Sequence, residues 1–388
     1  MTKTNPMRDF GLEVFFSEWE FAARHHMTAS DIESMSQATL LSYANDEDRD
    51  AYDRLWLGYT QTYGLPALRT TIAETYDHIS DAQILCLAGA GEGLYIVARV
   101  LLSADDHVIV PTPNYQSAET VPLSVCAVTG VPLVQEQGGQ WTLDLDAIRD
   151  AIQPNTKLLS LNFPHNPTGM LIDRASLSAL IDLCRERGIW ILSDEVYRGV
   201  ELNPADRMPQ IADVYERGIS LNVMSKAYGL PGLRIGWLAM QDKEMLERFE
   251  RYKHYLSICN SGPSEVLAMI ALKARDQILA QNHALLQRNV VALEALLAQY
   301  PSLFEWSRPM GGCVAFPQYH GPDGVEAFCQ KLLKDSGVLL LPGSIYASEL
   351  TATPADCFRI GFGRAQVFTD GLAAMADHLD RFYADHKA

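Results

Sequence analysis

The chain reads as an α/β protein built on a mostly parallel sheet covered on both faces, with a second, smaller α+β lobe. Three observations carry that reading. Short apolar runs alternate with helix-length amphipathic stretches from Ile84 to Ala239, the pattern of strands buried on both faces. The pattern turns helical after Trp237 and then breaks into short strands interleaved with helices. At 388 residues the chain exceeds what one simple core accommodates.

Taken in order, the strand candidates are Ile84–Leu87, His107–Val110, Leu158–Asn162, Ile189–Ser193 and Ile219–Val223. Each is short, rich in Val, Ile and Leu, and separated from the next by a helical pattern such as Leu177–Arg187. A helix is expected over Leu94–Leu102, opened by the glycine-rich Gly89-Ala90-Gly91-Glu92-Gly93. Further on, a long helix is expected from about Gln281 to Tyr300, with short strands at Gly312–Phe316, Val338–Leu341 and Cys357–Ile360. The charged stretch Asp46–Asp53 reads as a loop-like join. The expected division is a large domain over 46–275 and a small one from 1–45 with 276–388.

Composition narrows the function. With 48% hydrophobic and 20% charged residues, the chain has the make-up of an ordinary globular protein. A formal net charge of −17 argues against nucleic acid and anionic membranes as partners, because both require a basic footprint. The seven cysteines form no C-x-x-C pair and no cluster with histidine, so they read as reduced packing residues, without a metal site. The stretch Met1–Arg24 is interrupted by Arg8, Asp9, Glu13, Glu18 and Glu20 and lacks the apolar run of a signal peptide. No segment approaches the roughly 18 apolar residues of a membrane span, which makes the cytoplasm the expected location.

The chemistry lies at the ends of the strands. In open parallel sheets ligands sit at the carboxyl ends, and Asn166 follows one strand, Asp194 ends the next, and Lys226 follows another. Ser225, Tyr228, Gly229, Gly232, Leu230 and Leu233 would desolvate the Lys226 amine and lower its pKa toward reactivity. Asp194 closes the apolar run Ile189–Leu192, where a carboxylate needs a partner; a pyridinium nitrogen is one, a structural ion pair another. A lysine that forms a Schiff base with an aldehyde, a carboxylate on a ring nitrogen, and Arg234 on a phosphate together describe a pyridoxal-phosphate site. The turn at Ala90 and Gly91 offers backbone N–H groups to that phosphate; its spacing is G-x-G-x-G, so the dinucleotide fingerprint is not met.

Around this core, Tyr197 and Asn166 are placed to bond a phenolic oxygen, Tyr115 to stack on a ring, and Arg359 to clamp a substrate carboxylate. Each residue has an ordinary alternative: a turn asparagine before Pro167, a packing tyrosine, an edge ion pair, a solvated lysine. Their joint occurrence carries the reading.

These residues resemble the class I/II aminotransferase superfamily, the fold-type I pyridoxal-phosphate enzymes, from Tyr59 onward. The motifs are Asn166-Pro167-Thr168-Gly169, Asp194-Glu195-Val196-Tyr197-Arg198 and Ser225 to Gly236. The resemblance implies a mostly parallel seven-stranded sheet in an α/β/α sandwich, with a smaller domain built from both termini. It implies Lys226, Asp194 and Tyr197 as catalytic residues. Ala90, Gly91, Tyr115, Asn166, Ser225 and Arg234 would join them in holding pyridoxal 5'-phosphate, and Asn166 and Arg359 would bind substrate. Tyr59 resembles the tyrosine that reaches the phosphate of a neighbouring subunit, so a homodimer with active sites at the interface is implied.

The implied reaction moves an α-amino group between an amino acid and a 2-oxo acid through a Lys226 Schiff base. Two departures stand out. Val223 occupies a position where many members carry a small or hydroxyl residue, and the stretch from Phe15 to Ser34 lacks the common Gly-x-Pro. The segments Phe163–Asn166 and Ser225–Gly232 look closer to the capreomycidine synthase-like branch, so elimination, cyclisation or oxidation, as in that branch or a C–S lyase-like one, stays open. No arginine occurs between Tyr252 and Pro263, although Lys253 and His254 do, which disfavours aspartate and glutamate as main donors. Glu18, Glu20, Asp31 or Glu33 near the mouth would suit a cationic side chain, or serve as ordinary surface charge.

Overall fold

The computed structural model describes residues 7–388. Its centre is a seven-stranded sheet, in chain order β1 (Ile84–Leu87), β2 (His107–Thr112), β3 (Ala127–Pro132), β4 (Thr156–Asn162), β5 (Trp190–Asp194), β6 (Gly218–Val223) and β7 (Gly236–Met240). The spatial order is β1-β7-β6-β5-β4-β2-β3, with every pair parallel except those made by β7. Strands β1, β2, β6 and β7 are buried along their whole length, which explains their unbroken apolar sequences. The edge strand β3 is half-exposed and carries Gly130 and Pro132, residues suited to an edge that should not pair further.

The covering helices follow their sequence periodicity. Ala90–Leu101 buries Leu94, Val97, Ala98 and Leu101, one face of a 3.6-residue repeat. Arg174–Arg187 buries Leu177, Leu180, Ile181 and Cys184, starts at the Asp173 side chain on Ser176 N, and stops at Gly188 with φ 67°. An aspartate cap and a left-handed glycine are the standard start and stop. All seven cysteines are free thiols, six of them buried.

Beyond the 23-residue helix Arg275–Leu297, the chain builds a small antiparallel sheet from Val314–Ala315, Phe358–Gly361 and Leu341–Pro342. The N-terminal region joins it: His25–His26 pairs in parallel with Val338–Leu339, and Met27 O accepts the Gly361 amide at 2.7 Å. The preceding helix Gly11–Trp19 reaches across to the large sheet, with Gly11 N donating to Gln116 Oε1 at 2.9 Å and Arg8 paired to the buried Glu119. One expectation is corrected here. Asp46–Asp53 is a helix, capped by Asn45 on Asp48 N; its three leading acidic residues favour the positive end of the helix dipole, and Asp48 is buried against Lys273. No helix among the described residues is long and apolar enough to cross a membrane.

Candidate active site

The carboxyl ends of the parallel strands open onto a cavity of about 430 Å³. Strands β1, β4, β5 and β6 deliver Ala90 and Gly91, Asn162 and Asn166, Asp194, and Ser225 with Lys226 to its wall. Because β7 runs antiparallel, its start lies at the same rim, and Arg234, just before it, also lines the cavity. Tyr115 arrives from the loop after β2. With Tyr197, nine of the sequence-derived cofactor and catalytic residues therefore face one space, although they span 145 positions of the chain from Ala90 to Arg234.

Lys226 Nζ donates to Ser30 Oγ at 2.9 Å. Burial pulls its pKa below the ordinary lysine value, opposed by the charge of Asp31, so the amine is more easily neutral. Asp194 is the complementary case. Burial pushes its carboxyl up to about 6, against a hydrogen bond from Val196 N and the field of Lys226. Its Oδ1 takes that one amide at 3.3 Å, and a buried carboxylate with one weak donor invites a cationic ring nitrogen.

Asn162, which sequence reasoning passed over, braces this corner: its Nδ2 donates to Asp194 O at 2.9 Å and its Oδ1 accepts Asn166 N at 2.9 Å. Asn166 Oδ1 in turn accepts from Tyr346 OH at 2.9 Å and Arg359 Nη1 at 3.2 Å. That leaves the two N–H groups of Asn166 Nδ2 free to donate.

The phosphate end is built from backbone. Gly89 has φ +104° and a Cβ there would lie 2.6 Å from Arg234 Nη2, so only glycine admits both the turn and the guanidinium. The helix beginning at Ala90 aims its first N–H groups at the cavity, and a Cβ on Gly91 would meet nothing within 4 Å. Ser225 and Arg234 complete a ring of donors suited to a phosphate. These donors and the under-partnered Asp194 fit pyridoxal phosphate. Val223 contributes an apolar patch to the same wall.

Arg359 is fully buried. Its Nη1 donates to Tyr346 OH at 2.6 Å as well as to Asn166, and Nη2 donates to Thr28 O at 2.7 Å. Its Nε has no partner among the described residues. The guanidinium lies 5.9 Å from the centre of the Phe16 ring, which itself lines the cavity. Tyr197 donates its hydroxyl to Ser30 O at 2.8 Å. Tyr59 is not brought to the cavity within this chain; it is 91% exposed.

Several lining residues carried no sequence signal of their own: Leu12, Glu13 and Phe16 from the N-terminal helix, and His26, Ala29 and Ser30 from the segment after it. Burial, with Arg359 and Arg364 nearby, pulls His26 down to about 4, so it stands neutral. The missing Gly-x-Pro in this region was the available clue. Of the acidic candidates, Glu20 and Asp31 line the cavity and Glu18 does not. Glu33 is spent on Ala365 N at 2.7 Å. Lys253 is fully buried, donating to Thr62 O, Cys86 O and Asn260 Oδ1, and His254 pairs with Glu250; neither lines the cavity.

The sequence pattern described as "Aminotransferase class I and II" matches residues 28–379. Among curated proteins, the chain is 31% identical to arginine–pyruvate transaminase AruH of Pseudomonas aeruginosa, over 83% of this chain and 86% of that one. It is 26% identical to capreomycidine synthase of Streptomyces vinaceus, over 96% and 93%. Among solved structures, a pyridoxal-phosphate-dependent aminotransferase from Streptococcus suis superposes with a TM-score of 0.90 at 30% identity, covering 97% of this chain and 99% of that one. The pyridoxal-phosphate-dependent cyclase OrfR superposes with a TM-score of 0.86 at 25% identity, covering 98% and 100%.

Proposed function

Because the chain belongs to the class I and II aminotransferase family of pyridoxal-phosphate-dependent enzymes, we propose that it transfers an α-amino group between an amino acid and a 2-oxo acid, with Lys226 as the reacting amine. The observation that carries this is the convergence of Lys226, Asp194, Asn166, Ser225 and Arg234 on one cavity. When bound, pyridoxal phosphate supplies an aldehyde that condenses with amines and a ring that draws off the electron pair left at Cα.

The residues would supply the rest. Ala90, Gly91, Ser225 and Arg234 would hold the phosphate, and Asp194 would keep the ring nitrogen protonated. The Asn166 amide and the Tyr197 hydroxyl would donate to the phenolic oxygen, and Tyr115 would pack on the ring. Arg359 offers its free Nε–H and the second N–H of Nη2 as a fork for the substrate α-carboxylate. Lys226, made less basic by burial, would be the base that takes the proton from the substrate Cα and can give it back.

A second reading, cyclisation or elimination, is favoured by the likeness to the OrfR cyclase over nearly the whole chain. The shared residues remove the α-proton, and the pocket decides which bond is made or broken next. The deciding experiment tracks the visible absorbance of the purified protein as single amino acids are added without acceptor and without oxygen. Stable bleaching that a 2-oxo acid reverses is the expected result. Spontaneous recovery of the band would favour the second reading, and the absence of any coenzyme band would sink the role of Lys226.

A homodimer with shared active sites is part of this proposal. Trp56, Leu57, Tyr59, Tyr255, Leu256 and Ile258 are exposed, and their two segments are joined by Thr60 Oγ1 on Asn260 O at 2.9 Å. An exposed apolar patch of this kind is a contact surface. The acidic charge and unpaired cysteines support work in the cytoplasm.

A further inference from the structure

We propose that the cavity selects amino acids whose side chain ends in a cation, and that Glu20, with Glu13 beside it, recognises that cation. This rests on the reading of the cavity as an amino-acid site and names its substrate class.

The N-terminal helix Gly11–Trp19 and its cap place Leu12, Phe16 and Glu20, each four residues apart, along one cavity wall, with Glu13 next to them. Among the described residues neither glutamate has an ion-pair partner. Among those residues Glu13 Oε1 accepts only the Tyr115 hydroxyl, at 3.2 Å, and the Glu20 carboxylate accepts no hydrogen bond. The neighbouring acids differ. Asp31 is held by both oxygens to Arg364 at 2.8 and 3.0 Å, and Glu33 caps the amide of Ala365.

Glu20, exposed at the cavity mouth, also stands at a helix end that does not favour a carboxylate. It is the C-cap of its helix, and a helix C-terminus already carries partial negative charge. Burial, then Glu13 and Asp31, push its pKa upward, with Arg364 and Lys226 pulling the other way, so on balance the surroundings disfavour its charge. A cation entering the cavity removes that opposition. Arg359 stands behind the cavity wall rather than in it: it is wholly buried, its Nε is unpartnered among the described residues, and its guanidinium lies 5.9 Å from the centre of the Phe16 ring that does line the cavity. A cavity with a buried guanidinium just behind its wall for the α-carboxylate, and carboxylates without ion pairs at its mouth, suits a substrate bearing a distal guanidinium or ammonium. A distal carboxylate would meet Glu13 and Glu20 instead.

The test compares L-arginine with L-citrulline, which replaces the guanidinium by a neutral group of nearly the same shape. Binding is measured by calorimetry on coenzyme-loaded protein carrying Lys226→Ala, so that turnover does not interfere. Arginine is expected to bind about tenfold tighter than citrulline, the scale of one charge-assisted contact. Adding Glu20→Gln is expected to remove most of that ratio. Adding Glu18→Gln, which deletes the same charge outside the cavity, is expected to keep it. A ratio near one before any glutamate is changed, or equal ratios in the two glutamine variants, would overturn the proposal. If the Lys226-bearing protein still answers amino acids in its absorbance, the proposed function survives that loss; if no amino acid binds or alters the band, both fall together.

Discussion

Asp194 shows how a single residue is tuned by what it lacks. Burial raises its carboxyl from 3.8 to about 6, so the folded protein without coenzyme holds that proton more tightly than the unfolded chain does. Between those two values stability falls as pH rises, because the native state binds more protons. By neutral pH the penalty reaches about 3 kcal/mol. The Asp194→Asn variant removes the titrating group, so its coenzyme-free form is expected to melt at a higher temperature than wild type near pH 7 and not near pH 4. Its coenzyme is expected to dissociate more readily. Melting curves with and without coenzyme at both pH values check this, and equal apoprotein stability at neutral pH would remove the case for a buried, under-partnered carboxylate. Asp194, Lys226 and Asn166 were legible as residues because each ends or shortly follows an apolar strand run. Ser30, which touches both Lys226 and Tyr197, was not, because nothing in its own neighbourhood distinguishes it from a surface serine.

At the level of the element, the turn from β1 into the helix Ala90–Leu101 is the clearest case of local sequence dictating function. Gly89 combines a positive φ with direct apposition of the Arg234 guanidinium. Gly89→Ala is expected to cost about 1–2 kcal/mol from the backbone conformation alone, and to displace Arg234. Urea denaturation reads the first effect and the coenzyme dissociation constant the second. A stability loss with unchanged coenzyme affinity would separate Arg234 from the phosphate. The element misread was Asp46–Asp53, where a run of charge suggested a loop. Its helix depends on the Asn45 cap, the dipole, and the buried pairing of Asp48 with Lys273, a contact 225 positions away in the chain that no local window contains.

At the scale of the whole molecule, the exposed patch around Trp56 and Tyr59 predicts association. Light scattering is expected to give twice the chain mass. The Tyr59→Phe variant is expected to leave apoprotein melting unchanged, since Tyr59 is 91% exposed in the single chain, but to weaken coenzyme binding about tenfold by deleting one hydrogen bond to an anion. Unchanged affinity would rule out its contact with the neighbouring phosphate. By itself the sequence determined the α/β class and brought Asn166, Asp194 and Lys226 forward as candidates, because strand burial and strand-end chemistry are written within a few consecutive residues. Only the tertiary structure decided which acids remain uncompensated and what covers the cavity. His25–His26 must find Val338–Leu339, Asp31 must find Arg364, and Arg359 must find Thr28. Each of those pairings closes a loop of more than 300 residues, so its partner is set by the assembled core and not by the local pattern.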